Sequence, residues 1–292
     1  MTSPLATEYK QRMASAKDVD LTGRVVVISG ASMGIGEALA QIFARRGASV
    51  VMSSRDAGRA EAARQRIGQT GRTLALSCDV RNREEIDKVV SLTLHHFGRI
   101  DVWINNAGYG MRDSVEMMDM AECRAMFDTN LFGAIQGMQA VIPVMKQQRS
   151  GTIINISSVA GHIALPYSAA YCATKFAMNA IGKAARGELR GTGVHVLTVC
   201  PGFIKTNFQA NRVPGRAGME LQPPRGAGIS AERVARAVLR AYVKGKREIV
   251  VPWSNHIYVK FYQLFPGLVE DSMARLAKPV KKQAVETSGV RR

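Results

Sequence analysis

The sequence predicts an α/β fold, a doubly wound parallel sheet of about seven strands followed by a C-terminal helical extension. Three observations lead there. Short β-branched runs alternate with helical patterns, which implies parallel βαβ units. The strand cores VVVIS, TIINIS and HVLTV are apolar without strict alternation, as expected of a sheet covered on both faces. A glycine-rich turn follows the first apolar run, where such folds bind phosphate.

The elements follow in order. Strands are expected at 25–29, 49–53, 73–77, 102–105, 151–157, 194–200 and 248–251, and helices at 35–46, 57–68, 83–97, 121–147, 168–190 and 231–244. Residues 1–20 read as an N-terminal arm, 21–252 as one Rossmann-type catalytic domain, and 253–292 as the helical extension with a basic tail. Within the domain, 203–229 is rich in Gly, Pro and Arg and suits a substrate lid. In 252–276, Ile257, Phe261, Leu264 and Leu268 fall at helical spacing, interrupted by Pro266-Gly267. That segment packs on the parent fold or a second copy, covers the substrate cleft, or lies on a membrane surface.

Composition narrows the classes. Of 292 residues 46% are hydrophobic, so the chain can bury a core and wholesale disorder is excluded. Cys78, Cys123, Cys172 and Cys200 lie far apart with no CxxC, which argues against a disulfide scaffold or a metal site and for a reducing compartment. With no apolar run of membrane-spanning length and no secretory or transit pattern, a cytoplasmic protein is expected, peripheral membrane contact being the alternative. The formal charge of +17 is uneven: residues 1–180 carry +4 and residues 181–292 carry +13. A solvated basic surface explains this more simply than an anionic partner, and nucleic acid is not favoured.

The first strand runs into Gly30-Ala31-Ser32-Met33-Gly34-Ile35-Gly36, where backbone N–H groups can approach a pyrophosphate at a helix N-terminus. The second strand ends at Ser53-Ser54-Arg55 with no acidic residue to hold a ribose 2′-hydroxyl. Arg55 can instead meet a 2′-phosphate, so NADP(H) is favoured and NAD(H) is the alternative. Asp79, in Cys78-Asp79-Val80 at the end of the third strand, is placed to accept from an adenine amino group.

Tyr171 and Lys175 stand four apart on an expected helix and share a face. An ammonium beside a phenol lowers its pKa from near 10 toward neutrality and makes Tyr171 a general acid/base for a carbinol–carbonyl interconversion. A second such pair, Tyr242/Lys246, spans Gly245 at a helix end and reads as structural. What separates Tyr171 is Ser158, thirteen residues earlier at the end of the fifth strand, whose hydroxyl can face the same cleft.

With these motifs the chain resembles the short-chain dehydrogenase/reductase family, whose single-domain branch carries TGxxxGxG, NNAG, a Ser, YxxxK and a Pro-Gly after the sixth strand. Here they stand as Ser29–Gly36, Asn105-Asn106-Ala107-Gly108, Ser158, Tyr171/Lys175 and Pro201-Gly202, over about residues 21–252. The resemblance implies that Tyr171 is the proton donor, Lys175 its pKa modifier and a ligand of the nicotinamide ribose, and Ser158 the holder of the substrate oxygen. It implies that Asn130 supports a water-linked proton relay. Asn106, Ala107 and Gly108 would line the cofactor, with Val80 beside the adenine; Pro201, Gly202, Ile204 and Thr206 would contact the nicotinamide and its phosphates. Met33 stands where NADP-preferring members often carry a basic residue, so the NADP(H) preference rests on Arg55.

Family-like pocket positions include Tyr109, Met111, His162, Leu165, Tyr167, Phe203 and Phe208, which suit a lipophilic ketone, aldehyde or alcohol. No arginine is placed by motif to clamp a carboxylate, although the lid carries Arg212, Arg216 and Arg225. His162 and Cys172 read as packing residues. The expectation is an NADP(H)-dependent oxidoreductase acting as a homodimer or homotetramer. The rival is a non-catalytic protein of the same fold that binds lipid or nucleic acid through its basic C-terminal half.

Overall fold

A computed structural model describes residues 19–68, 72–206, 208, 212–213, 215–217, 219–221 and 228–279. The expected arm up to residue 18, Arg225 in the lid and the basic tail beyond 279 lie outside the described residues. The chain alternates as β1 (Val25–Ser29), α1 (Gly34–Ala44), β2 (Ser49–Ser54), α2 (Ala57–Ile67), β3 (Thr73–Ser77), α3 (Arg83–Phe97) and β4 (Val102–Asn105). It continues through α4 (Met120–Phe127), α5 (Gly133–Gln148), β5 (Gly151–Ile156), α6 (Ala169–Glu188), β6 (Val194–Pro201) and α7 (Ala231–Val243). Last come β7 (Glu248–Val251), α8 (Ser254–Leu264) and α9 (Pro266–Leu276).

The seven strands form one parallel sheet in the order β7-β6-β5-β4-β1-β2-β3. Every expected strand is present. Successive residues feed opposite layers: Val26, Ile28, Val50, Met52, Ile104 and Leu197 pack toward α1 and α7, while Val27, Val51, Trp103, Ile153 and Val196 pack toward α3, α5 and α6. Both faces are therefore covered, and all five residues of β1 are buried. On α7, Val234, Ala235, Val238 and Leu239 make one apolar stripe against Leu39 and Phe43 of α1.

The strand order reverses beside β1, which pairs with both β2 and β4. The loops after these strands diverge to opposite sides and open a crevice at the carboxyl ends of the sheet. The helix expected over 121–147 differs from the structure in one respect: a π turn over Asp128–Phe132 separates α4 from α5. Pro266 takes the first position of α9, where its missing N–H is no loss and its ring ends α8.

At the other end of the sheet Asp101 ties β1 to β4. Its carboxylate, 2% exposed, accepts from Arg24 Nη1 at 2.8 Å, Arg99 Nη2 at 2.7 Å and the Val25 amide at 2.9 Å. Burial alone would raise its pKa, but the hydrogen bonds from Arg99, Arg24 and Val25 outweigh that and leave it lowered. A lowered carboxylate pKa adds stability that is complete above the unfolded value, near 4, and is lost as pH falls through the folded one. Asp101→Asn should cost about 1–2 kcal/mol at neutral pH, because two half-exposed arginines lose their charged partner. Its melting temperature should also fall less steeply than the wild type's below about pH 4; parallel pH–Tm curves would contradict this role.

Candidate active site

The crevice is a continuous cleft of ≈ 1680 Å³ along the carboxyl ends of the strands. Its wall includes Gly30, Ser32, Met33, Gly34, Ile35, Arg55 and Val80 from the first half of the sheet, Asn106, Ala107, Gly108, Ser158, Tyr171 and Lys175, and Pro201, Gly202, Ile204 and Thr206. These sequence-expected residues share one surface. Gly36, Asp79 and Asn130 are not part of that wall.

Backbone geometry explains the glycine turn. Gly30 and Gly34 have φ of 62° and 61°, a region that costs an L side chain strain. A Cβ on Gly30 would also come within 2.8 Å of Ala107 Cα, so the turn lies flat on the loop that leaves β4. At Met33, the N-cap of α1, no side chain caps the helix, in contrast to Asp56 on α2, which accepts from the Arg59 amide at 2.9 Å. The first turn of α1 thus opens toward the cleft with its amide donors.

The turn is held from β4. Ser29 Oγ accepts from the amides of Asn106 at 3.0 Å and Ala107 at 3.1 Å and donates to the Ile104 carbonyl at 3.3 Å. Asn106 Nδ2 donates to the carbonyls of Ser29 and Gly30, both at 2.9 Å. Asn106 therefore acts first as a strut for the turn. Asn105 plays no part in the cleft: it accepts from Trp103 Nε1 and donates to Asn155 Oδ1, both at 2.8 Å in the core.

Asn130 is fully buried within the π turn. Its Oδ1 accepts from the Tyr109 amide at 3.0 Å, and its Nδ2 donates to the Tyr109 carbonyl at 2.8 Å and to Thr174 Oγ1 at 3.3 Å. The side chain positions the Gly108–Tyr109 backbone, and its expected place in a relay does not run through a side-chain bond to Lys175. A Cβ on Gly108 would stand 2.9 Å from Asn130 Oδ1 and 3.8 Å from Lys175 Nζ, which shows how closely the three fit.

On α6, Tyr171 and Lys175 share a face as expected, and Lys175 Nζ sits 5.7 Å from the centre of the Tyr171 ring. Lys175 is buried and donates to the Ile156 carbonyl at 3.0 Å. Burial pushes its pKa down to about 8. The expected lowering of the phenol toward neutrality is not what the structure gives. Burial pushes the Tyr171 pKa up to about 12, with the Ser158 hydroxyl and the Arg212 charge opposing the rise. The reason is physical: desolvation penalises both charged forms, and the ammonium donates to the Ile156 carbonyl. Ser158 Oγ itself accepts from the Ala160 amide at 3.1 Å and lies 3.4 Å from the Pro201 carbonyl.

At the far end Arg55 is exposed on the cleft wall, with Arg59 and Arg81 beside it. Asp79 does not face this space as expected. Its two oxygens are taken by Arg81, Nη2 to Oδ2 at 2.6 Å and Nε to Oδ1 at 3.0 Å, and this pairing lowers its pKa. Among the expected pocket residues Tyr109, Leu165, Phe203 and Phe208 line the cleft, and Met111, His162 and Tyr167 do not. Met111 packs under Cys123 and Met126, and Tyr167 adopts a left-handed φ of 58° at the turn before α6. His162 turns away, with Nε2 3.4 Å from both Cys200 Sγ and Glu248 Oε1.

Two contributions come from outside the motifs. Tyr258, Met273 and Leu276 of the C-terminal helices line the cleft, while Val259, Val269 and Met273 pack on Ile163. Two of the three readings of that segment thus hold together, packing on the fold and covering the cleft. Among the described residues no helix is long and apolar enough to cross a membrane. The second is Arg212, which the sequence placed in a lid without a role and which lies on the cleft wall beside Tyr171.

A doubly wound parallel sheet with a glycine turn at its switch point and a Ser/Tyr/Lys cluster on one cleft defines a Rossmann-type oxidoreductase. The chain belongs to the short chain dehydrogenase family, whose pattern matches residues 24–217. It is 35% identical over 217 residues to an uncharacterised oxidoreductase of Staphylococcus saprophyticus, covering 74% of this chain and 88% of that one. A short-chain dehydrogenase from Streptomyces avermitilis superposes with a TM-score of 0.74 at 26% identity, over 86% of this chain and 98% of that one. A metagenomic short-chain oxidoreductase solved with NADP gives a TM-score of 0.66 at 30% identity, over 81% and 98%.

The strut makes a checkable statement. Asn106→Ala leaves the Ser29 and Gly30 carbonyls without their donor, at roughly 1–3 kcal/mol. The variant should melt lower than wild type and bind dinucleotide more weakly in a fluorescence titration. Unchanged affinity would separate the strut from the turn.

Proposed function

We propose that the protein is an NADP(H)-dependent oxidoreductase that interconverts a lipophilic ketone or aldehyde and its alcohol, with Tyr171 as general acid and base. One observation carries this reading: Ser158, Tyr171 and Lys175 meet on the wall of the same cleft that begins at the glycine turn and Arg55. A protein that only bound a dinucleotide would have no physical need for that convergence.

The residues present fit a nicotinamide dinucleotide. A Cβ on Gly34 would stand 3.7 Å from Thr206, so the glycine keeps open the narrow passage where the first turn of α1 faces the opposite wall. Gly30, Ser32, Met33, Gly34 and Ile35, with Thr206, would hold the diphosphate, Val80 the adenine, and Asn106, Ala107, Gly108, Pro201, Gly202 and Ile204 the nicotinamide end. Arg55 would meet the 2′-phosphate; among the described residues no carboxylate pairs with it, while Arg59 is paired with Asp56 and Arg81 with Asp79. The related oxidoreductase that holds NADP supports a nicotinamide dinucleotide in this cleft. When bound, the cofactor supplies the two-electron chemistry at the carbinol carbon.

The chain's own groups supply position and the proton. Ser158 Oγ holds the substrate oxygen by hydrogen bond. Tyr171, neutral at pH 7 because burial keeps its pKa high, donates its proton to that oxygen in the reductive direction and recovers it in the oxidative one. Lys175 holds the nicotinamide ribose and opposes the charge that forms on the phenol oxygen. Asn130 keeps the Gly108–Tyr109 backbone in place beside them.

Tyr171→Phe should lower kcat by about 10²- to 10⁴-fold with a lipophilic ketone and NADPH, followed at 340 nm, and should keep NADPH affinity. A variant that turns over at the wild-type rate would remove Tyr171 from the chemistry. Arg55→Ala should raise the KM for NADPH by about tenfold and leave that for NADH nearly constant, since a charge-assisted bidentate contact is lost with only one of them. Equal changes for the two would remove Arg55 from phosphate recognition.

A further inference from the structure

The lid residue Arg212 lies inside the cleft. Its guanidinium carbon stands 5.4 Å from the centre of the Phe208 ring, and that ring lies 5.8 Å from the Tyr171 ring. The guanidinium lies over the Phe208 ring, which in turn meets the Tyr171 ring at a tilt of 57°. The backbone that follows Arg212 is held in place. The Val213 amide donates to the Gly110 carbonyl at 2.9 Å, and the Arg112 amide donates to the Val213 carbonyl at 3.2 Å. Further on, the amides of Arg216 and Ala217 donate to the Asp113 carboxylate at 3.1 and 3.0 Å. Arg216 itself is paired with Asp119 at 2.6 Å.

Arg212 differs from the other arginines around the cleft. Arg59, Arg81 and Arg216 each meet a carboxylate, and among the described residues Arg212 meets none. Its charged neighbour is another arginine, Arg112, whose charge and whose burial act in the same direction: burial first, then Arg112, push the Arg212 pKa down to about 10. A guanidinium at that value is still charged at pH 7. The cleft wall carries Leu165, Phe203, Phe208, Val213, Tyr258 and Met273 as apolar surface, together with the polar Ser168, Asn255 and Ser272 and the carboxylate of Glu122, which makes no ion pair with Arg212. A buried charge without a counter-charge is costly, and an anion arriving from solvent relieves that cost.

We infer that Arg212 is a substrate-recognition residue, and that the substrate is an oxo or hydroxy acid whose carboxylate pairs with this guanidinium while its apolar chain fills the rest of the pocket. The inference rests on the oxidoreductase reading above and narrows its substrate class. A carboxylate matches the site better than a phosphate dianion, because one planar fork without a partner balances one negative charge. The two ends of the substrate then have separate recognition. Ser158 and Tyr171 take the reacting oxygen, and Arg212, one ring beyond Tyr171, fixes the distance from that oxygen to the acid.

The test compares straight-chain oxo acids with their methyl esters, at matched chain length, as substrates with NADPH. Wild type should prefer the acid in kcat/KM. Arg212→Ala and Arg212→Gln should both raise the KM of the acid by about tenfold or more, with a smaller change for the ester, so that the preference collapses. NADPH affinity should stay at the wild-type value in both, which separates a substrate anion from a cofactor phosphate. No preference in wild type, equal losses for acid and ester, or weakened NADPH binding would each overturn the inference. A second measurement keeps it independent of turnover: octanoate should quench the fluorescence of bound NADPH more tightly in wild type than in either variant, and octanol should not discriminate. If that difference appears while no oxo acid is reduced, the arginine site stands and the oxidoreductase reading fails. If octanoate binds all three proteins alike, the arginine site fails.

Discussion

The cleft depends on how β1 and β4 are held after they stop pairing. Ser29 Oγ collects two amides from Asn106 and Ala107, and Asn106 Nδ2 returns to the carbonyls of Ser29 and Gly30. Four hydrogen bonds thus lock the end of one strand to the loop leaving its neighbour, where the sheet order reverses. From that lock the glycine turn gains its shape, and the Gly108–Tyr109 backbone gains the start of its path. Asn130 fixes the other end of that path from a π turn, an element that often marks a functional position because it shifts the backbone out of helical register. Two carboxamides, the half-buried Asn106 and the fully buried Asn130, therefore define both sides of the nicotinamide end of the proposed site.

The same burial that makes the site rigid sets its electrostatics. Tyr171 and Lys175 both resist ionisation there, the phenol at about 12 and the ammonium at about 8. Their proximity alone does not produce a phenolate. A neutral phenol close to a cation is a proton donor, which suits the reductive direction. The oxidative direction needs the phenolate to be stabilised by charges that face its oxygen. Arg212 already lowers the Tyr171 pKa in this arrangement, so the lid contributes to the electrostatics as well as to the walls of the cleft.

The sheet was legible because parallel strands covered on both faces leave long β-branched runs, and each of the seven runs became a strand. The glycine turn, Ser158, Tyr171 and Lys175 were legible because their spacing is set by a strand end and a helix face. What escaped was whatever depends on side-chain direction in loops. His162 stands near the pocket in sequence, yet its ring turns to Cys200 and Glu248. Asp79 sits at the right strand end, yet Arg81 two residues on takes its carboxylate. Periodicity says nothing about Arg212, since its placement comes from backbone pairing between two loops about a hundred residues apart in sequence.

Net charge proved a poor guide to the chemistry, and local pairing a better one. Four arginines line the cleft, and two of them are neutralised in place, Arg59 by Asp56 and Arg81 by Asp79. Two on its walls, Arg55 and Arg212, meet no carboxylate among the described residues, and they stand toward opposite ends. Arg55 is exposed beside the glycine turn, and Arg212 lies over the Phe208 ring next to Tyr171. A cleft so built presents a positive charge at each end and a proton donor between them. Such a pattern selects a pair of ligands that bring their own negative charges to the two ends and meet at the phenol.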